Sequence, residues 1–143
     1  MKLATIKNST RDGQLVVVSK NLSKAVVVKD IARTMQDALD NWKEISPVLE
    51  KIYKELNSDS LTNAIDFNSS MTMAPIPRSF HWADGSAYVT HVELVRKARG
   101  AELPESFWTD PLMYMGASDA FIGAKDDILI EKEEWGIDFE SEV

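Results

Sequence analysis

Asp138-Phe139-Glu140-Ser141-Glu142 sets two carboxylates two positions apart near the last residue of this chain. In a strand, side chains alternate faces, so Glu140 and Glu142 point the same way, with Asp138 beside them. Neighbouring carboxylates repel unless a proton or a cation sits between them. A hard divalent cation is the usual solution. Asp84 offers a third oxygen ligand from a distant stretch, and the set suits Mg²⁺, Ca²⁺ or Mn²⁺. The competing reading is a solvated acidic edge, continuous with Glu131, Glu133 and Glu134. Spacing alone favours that edge, because an exposed Glu is the commonest case. His91 follows Asp84 by seven residues. An imidazole can serve as a general base beside a metal, although a lone His is more often structural or exposed. Tyr88, Tyr114, Arg96 and Arg99 are the groups that would hold an anionic substrate, Arg being the usual fork for a carboxylate. An exposed helix face is the strong competing reading of Arg96-Lys97-Ala98-Arg99. No glycine pattern resembles a phosphate loop or a dinucleotide fingerprint.

Composition narrows the field. A chain of 143 residues with 44% apolar content has enough material for a core. Sixteen basic against 23 acidic residues give a net charge of −7, which repels phosphate backbones and argues against nucleic-acid binding. No apolar run approaches a membrane span, and residues 1–8 lack the apolar core of a signal peptide. The absence of cysteine removes disulfides, thiolate ligands and thiol nucleophiles, and fits a cytoplasmic protein. Two histidines, His81 and His91, are too few for an all-histidine metal site.

The elements that must position these residues read as α+β. Residues 2–29 form a meander of three strands, with turns at Arg11-Asp12-Gly13 and Asn21-Leu22-Ser23-Lys24. Leu15-Val16-Val17-Val18 reads as a strand buried on both faces. Met35, Leu39, Trp42, Ile45, Leu49, Ile52 and Leu56 make one helical stripe, expected to pack in the core. Thr34 is its N-cap, and Ser46-Pro47 should break or kink it. Residues 57–73 are polar and read as a linker. Ala74-Pro75-Ile76-Pro77-Arg78 should be extended by its prolines, as the entry into a second unit. The domains expected are therefore 1–73 and 74–143. In the second, Val89 to Arg99 reads as a short helix. Phe121-Ile122 and Ile128-Leu129-Ile130 read as strands around a turn at 124–127. Aromatics and polar groups without a simple core pattern suggest a site or half of a larger sheet. The chain stops one residue after Glu142 with no turn or cap, which reads as the front part of a longer enzyme.

Four of these stretches, taken in order, resemble the fumarylacetoacetate hydrolase family. They are Ala74-Pro75-Ile76-Pro77-Arg78; Asp84 through Tyr88 to His91; Pro111-Leu112-Met113-Tyr114-Met115-Gly116, with Ile122-Gly123 and Asp127-Ile128 following; and Asp138-Phe139-Glu140-Ser141-Glu142. The first 73 residues resemble, more loosely, the small N-terminal domain of some bacterial members. The resemblance implies a mixed-sheet, roll-like catalytic domain of the fumarylacetoacetase type, of which only the first part is present. It implies Asp84, Glu140 and Glu142 as ligands of a divalent cation and His91 as the base that deprotonates water. Tyr114, with Tyr88, Arg96 and Arg99 as further candidates, would orient a β-diketo or acylpyruvate-type acid whose carbon–carbon bond is hydrolysed. Decarboxylase, hydratase and isomerase activities on related keto acids also occur in the family. The implied partners are a small keto acid and, in a full-length protein, a second copy in a homodimer; nucleic acid and membrane are not among them. On this reading the isolated piece is catalytically dead or nearly so. Two departures stand out. Many small bacterial members carry His-x-x-Glu, but position 94 is Leu and the nearest acid is Glu93. The Arg that fumarylacetoacetase places after its His falls, by counting, at Gly100. A non-catalytic interaction or oligomerisation module is the competing reading of the whole chain.

Overall fold

The computed structural model describes residues 1–85, 88–110 and 112–137. Three strands form the expected meander: β1 (Lys2–Ile6), β2 (Gln14–Val18) and β3 (Lys24–Val27). They pair antiparallel, with Leu3 opposite Val17 and Val17 opposite Val26. Gly13 makes the first turn possible: its φ is +65°, and a Cβ there would sit 2.6 Å from the Met73 sulfur and 2.7 Å from the Ile6 carbonyl. The second turn places Leu22 at φ 61° while the Asn21 carboxamide accepts the Ser23 N–H at 3.1 Å. That local bond offsets the cost of a left-handed residue bearing a Cβ.

Strand β2 is buried on both faces, as its continuous apolar run predicts. On one face Leu15 and Val17 meet Val26, Val28 and the helices. On the other, Val16, Val18 and Ala25 pack with Ala4, Ile6 and Phe67. Phe67 belongs to the stretch expected to be a linker, and that expectation is wrong. Residues 65–66 form β4 (Ile65–Asp66), which adds to the free edge of β3 with Lys24 opposite Asp66. Their side chains form an exposed ion pair at 2.7 Å. Further on, Lys7 N–H donates to the Met71 carbonyl and Met73 N–H to the Thr5 carbonyl, so residues 71–73 run along β1. A polar sequence did not prevent ordering, because the open sheet edges supply backbone partners.

The helical stripe divides into α1 (Met35–Asp40) and α2 (Trp42–Asn57). Thr34 caps α1 as expected: its hydroxyl accepts the Asp37 N–H at 3.0 Å, and the Asp37 carboxylate accepts the Thr34 N–H at 3.2 Å. The break falls at Asn41, not at Ser46-Pro47. The Asn41 carboxamide donates to the Asp37 carbonyl at 3.1 Å, satisfying the acceptor that a continuing backbone would have used. Pro47 lies inside α2 on an exposed face. There it forfeits one backbone bond, to the Lys43 carbonyl, which water can satisfy. The break also corrects the stripe. Leu49 is fully buried and Leu56 nearly so, but Leu39 and Trp42 are 43% and 41% exposed, and Ala38 takes the inward place on α1.

The chain divides into two compact units, Met1–Arg78 with the segment from Phe121 onward, and Ser79–Ala120. Residues 75–78 bend and turn instead of running extended, and they belong to the first unit. Thr5 holds this bend, donating its hydroxyl to the Pro75 carbonyl at 2.6 Å, and Arg78 pairs with Asp12 in the β1–β2 turn. Segments 121–122 and 128–130 are not strands, although the turn between them is present. Among the described residues no strand pairs with them, and Leu129 is 91% exposed.

The second unit holds a two-stranded antiparallel pair, β5 (Ala83–Gly85) and β6 (Met113–Met115). It also holds α3 (Val89–Ala98) and a 3₁₀ turn over Glu105–Trp108. The whole is α+β. No helix among the described residues is long and apolar enough to cross a membrane.

Candidate active site

Register decides what β5 and β6 present. Asp84 lies directly opposite Tyr114, flanked by Ala83 opposite Met115 and Gly85 opposite Met113. Side chains alternate along each strand, so Asp84 and Tyr114 share a face and Met113 and Met115 occupy the other. The Asp84 carboxylate is half-buried and has neither a hydrogen bond nor an ion pair among the described residues. Tyr114 is 61% exposed. An acceptor-only group on a strand face, uncompensated and beside a phenol, is suited to a cation or a polar ligand.

Trp82, two residues before Asp84, meets the Tyr114 ring edge-on at 6.0 Å between centroids and 60° between planes. Its backbone carbonyl accepts the Gly116 N–H at 3.1 Å, which extends the pairing by one step. A Cβ on Gly116 would lie 1.8 Å from the indole, so the ring fills the space that this glycine leaves. Trp82 carries no motif of its own in the sequence. The one available signal was Gly116, two residues after Tyr114.

Helix α3 starts soon after β5, with Tyr88 as its N-cap residue and Val92 as its buried anchor. His91, in the first turn, is exposed. Glu93 and Leu94 are exposed as well. Arg96 donates from Nη1 to the Glu102 carbonyl at 3.1 Å, which commits its fork to the chain just beyond the helix. Arg99 is the C-cap residue, and its backbone N–H closes the last turn. The structure thus brings Asp84 and Tyr114 together and sets His91, Tyr88, Arg96 and Arg99 on one helix of the same unit. Glu140 and Glu142 lie outside the described residues. Among the described residues no three acidic or histidine side chains converge as a metal site would require; the expected set needs Glu140 and Glu142.

The first unit carries an open groove of about 960 Å³, lined by Gly13, Lys29, Arg33, Thr34, Asp37 and Asn41 among others. None of the expected site residues lines it. The turn after Phe121 is fixed by charge: Lys7 pairs with Asp126, and the Asp126 carboxylate also accepts the Gly123 N–H at 2.9 Å. The Lys7 ammonium, then the Gly123 N–H, holds the Asp126 carboxyl below its ordinary value. The Arg78 guanidinium does the same for Asp12.

Comparison with known proteins bears on the whole chain. No curated protein matches it. The family model for the fumarylacetoacetase N-terminal domain 2 matches residues 1–78. The model for the fumarylacetoacetate (FAA) hydrolase C-terminal domain matches residues 80–143. The first match takes in the meander, both helices and the stretch that returns along β1; the second takes in β5, α3 and β6. By the first match, which covers more than half of its residues, and the second, which follows in order, the chain belongs to the fumarylacetoacetate hydrolase family.

Proposed function

We propose that this chain carries the first part of an active site that hydrolyses a carbon–carbon bond in a β-diketo or acylpyruvate-type acid. One observation supports this reading above the rest: Asp84, half-buried and without a charged or hydrogen-bonding partner among the described residues, faces the same side of the β5–β6 pair as Tyr114. Within a chain that matches the FAA hydrolase C-terminal domain, we read that pair as a metal ligand beside a substrate contact. Asp84, Glu140 and Glu142 would hold a divalent cation, which supplies charge stabilisation for an enolate and fixes the oxygens of the keto acid. His91 takes a proton from water, and the hydroxide adds to the substrate carbonyl carbon. The bond to the adjacent carbon breaks, that carbon leaves as an enolate, and His91 returns the proton to it. The Tyr114 hydroxyl donates to a keto oxygen. Exposed Arg99 is the better partner for the substrate carboxylate, because Arg96 already serves Glu102. The cognate partner is a small keto acid, and the protein works as a homodimer.

The test uses the protein made from its complete reading frame. Acylpyruvates are supplied with Mg²⁺, Mn²⁺ or Ca²⁺, and loss of the diketo absorbance is followed. Metal-dependent turnover that disappears in His91→Ala and in Glu140→Ala is the expected result. Turnover unchanged in both variants removes the assignment.

A further inference from the structure

We infer that Trp82 is a positioning residue for Tyr114, and that Gly116 is glycine to admit the Trp82 ring. The inference rests on the reading that Tyr114 contacts the keto acid. The two strands are too short to fix their own alignment. Each has three residues, and a bare two-stranded pair of that size is marginal in water. A slip of one residue would send Tyr114 to the face opposite Asp84. Trp82 works against the slip. By the register, Trp82 falls opposite Gly116, and its carbonyl accepts the Gly116 N–H at 3.1 Å. Indole atoms stand 1.8, 2.1 and 2.2 Å from where a Gly116 Cβ would be, so the ring lies across the glycine. There it reaches its diagonal neighbour, Tyr114, edge-on at 6.0 Å. Shifting β6 by one position would bring a side chain under the indole.

Tyr114 gains direction from the same contact. Tyr114 is 61% exposed, and the Trp82 edge is the aromatic contact the described residues give its ring. The edge-to-face arrangement favours one orientation through the ring quadrupoles. The phenol hydroxyl then stays above the face that carries Asp84, where a keto oxygen would be met.

The experiment places 3-fluorotyrosine at position 114 alone, in the protein from its complete reading frame, and reads the ¹⁹F shift. Trp82→Ala should move the resonance toward that of free fluorotyrosine. Gly116→Ala should move it too, although both rings remain, and Trp82→Phe should restore most of the original shift. A resonance unmoved by Trp82→Ala and Gly116→Ala overturns the inference. Kinetics then separate positioning from general damage. Trp82→Ala should raise KM for an acylpyruvate about two- to tenfold, with kcat less affected. In a Tyr114→Phe background it should add little. An equal rise in that background overturns positioning through Tyr114. If Tyr114→Phe leaves KM unchanged while the ¹⁹F shift still follows Trp82, the positioning stands and the reading of Tyr114 as a substrate contact fails.

Discussion

Replacing Leu49 with alanine should cost this protein far more than replacing Leu39, although both belong to one apolar stripe in the sequence. Leu49 has no exposed surface and sits in the cluster that joins β2, β3 and the two helices. Losing three carbons at about 0.8 kcal/mol each removes about 2.4 kcal/mol of transfer energy. The cavity left behind raises the loss to about 3–4 kcal/mol, inside the 2–5 kcal/mol span of such truncations. Leu39 is 43% exposed. Its truncation leaves no closed cavity, and alanine's better helix propensity offsets part of the lost contact, so about 0.5 kcal/mol is expected. Native-state hydrogen exchange at the Val16 and Val17 amides reads the opening energy of this unit alone. Equal losses at the two sites would mean that one continuous stripe faces the core. The break at Asn41, with the inward turn of Ala38, would then be wrong.

Other outcomes follow from single residues. Gly13→Ala should cost about 2–5 kcal/mol, adding left-handed strain to collision with the Ile6 carbonyl and Met73. Gly100→Ala, at the same φ of +65° but with nothing within 4 Å, should cost only about 1–2 kcal/mol; denaturant titrations of the two variants compare them. Asp12 and Asp126 are both held below the ordinary aspartate value of 3.8. The unfolded chain therefore takes up protons first as the pH falls. The stability these pairs give is complete above 3.8 and lost as the pH drops through their lowered folded values. Protection of the Met73 and Phe121 amides should thus be flat from about pH 5 to 7 and fall below about 4, and added salt should weaken it throughout. His91→Ala should lower kcat on acylpyruvates by about 10²–10⁴, the range for a lost general base; a loss under about threefold would remove His91 from that role.

The legible parts of the fold were those whose signal is local. Four consecutive apolar residues in β2 required cover on both faces, and Gly13 and the Thr34 cap each mark a backbone geometry that few residues satisfy. Proline is the louder signal in the sequence, yet the helix breaks at Asn41. Asn41 ended α1 through a bond four residues back, while Pro47 on an exposed face cost one bond. Residues 57–73 look like a linker in sequence because their order comes from edges of a sheet formed elsewhere in the chain. Segments 121–122 and 128–130 go the other way: apolar residues that favour a strand form one only within a sheet, and neither segment joins one of the described sheets. At the candidate site, Asp84 and Tyr114 stood out by residue type, thirty residues apart in sequence. That they share one face is a fact of register, which no local pattern carries. Trp82 went unassigned because its meaning lies in the absence of a side chain at Gly116.

Cation binding probes Asp84, Glu140 and Glu142 together without relying on turnover. Mn²⁺ is titrated calorimetrically into the protein from its complete reading frame, and into its Asp84→Asn and Glu142→Gln variants. One bound cation per chain is expected, with affinity reduced at least about tenfold in each variant, the scale on which even outer-sphere changes act. Equal affinity in the wild type and in both variants would contradict the account.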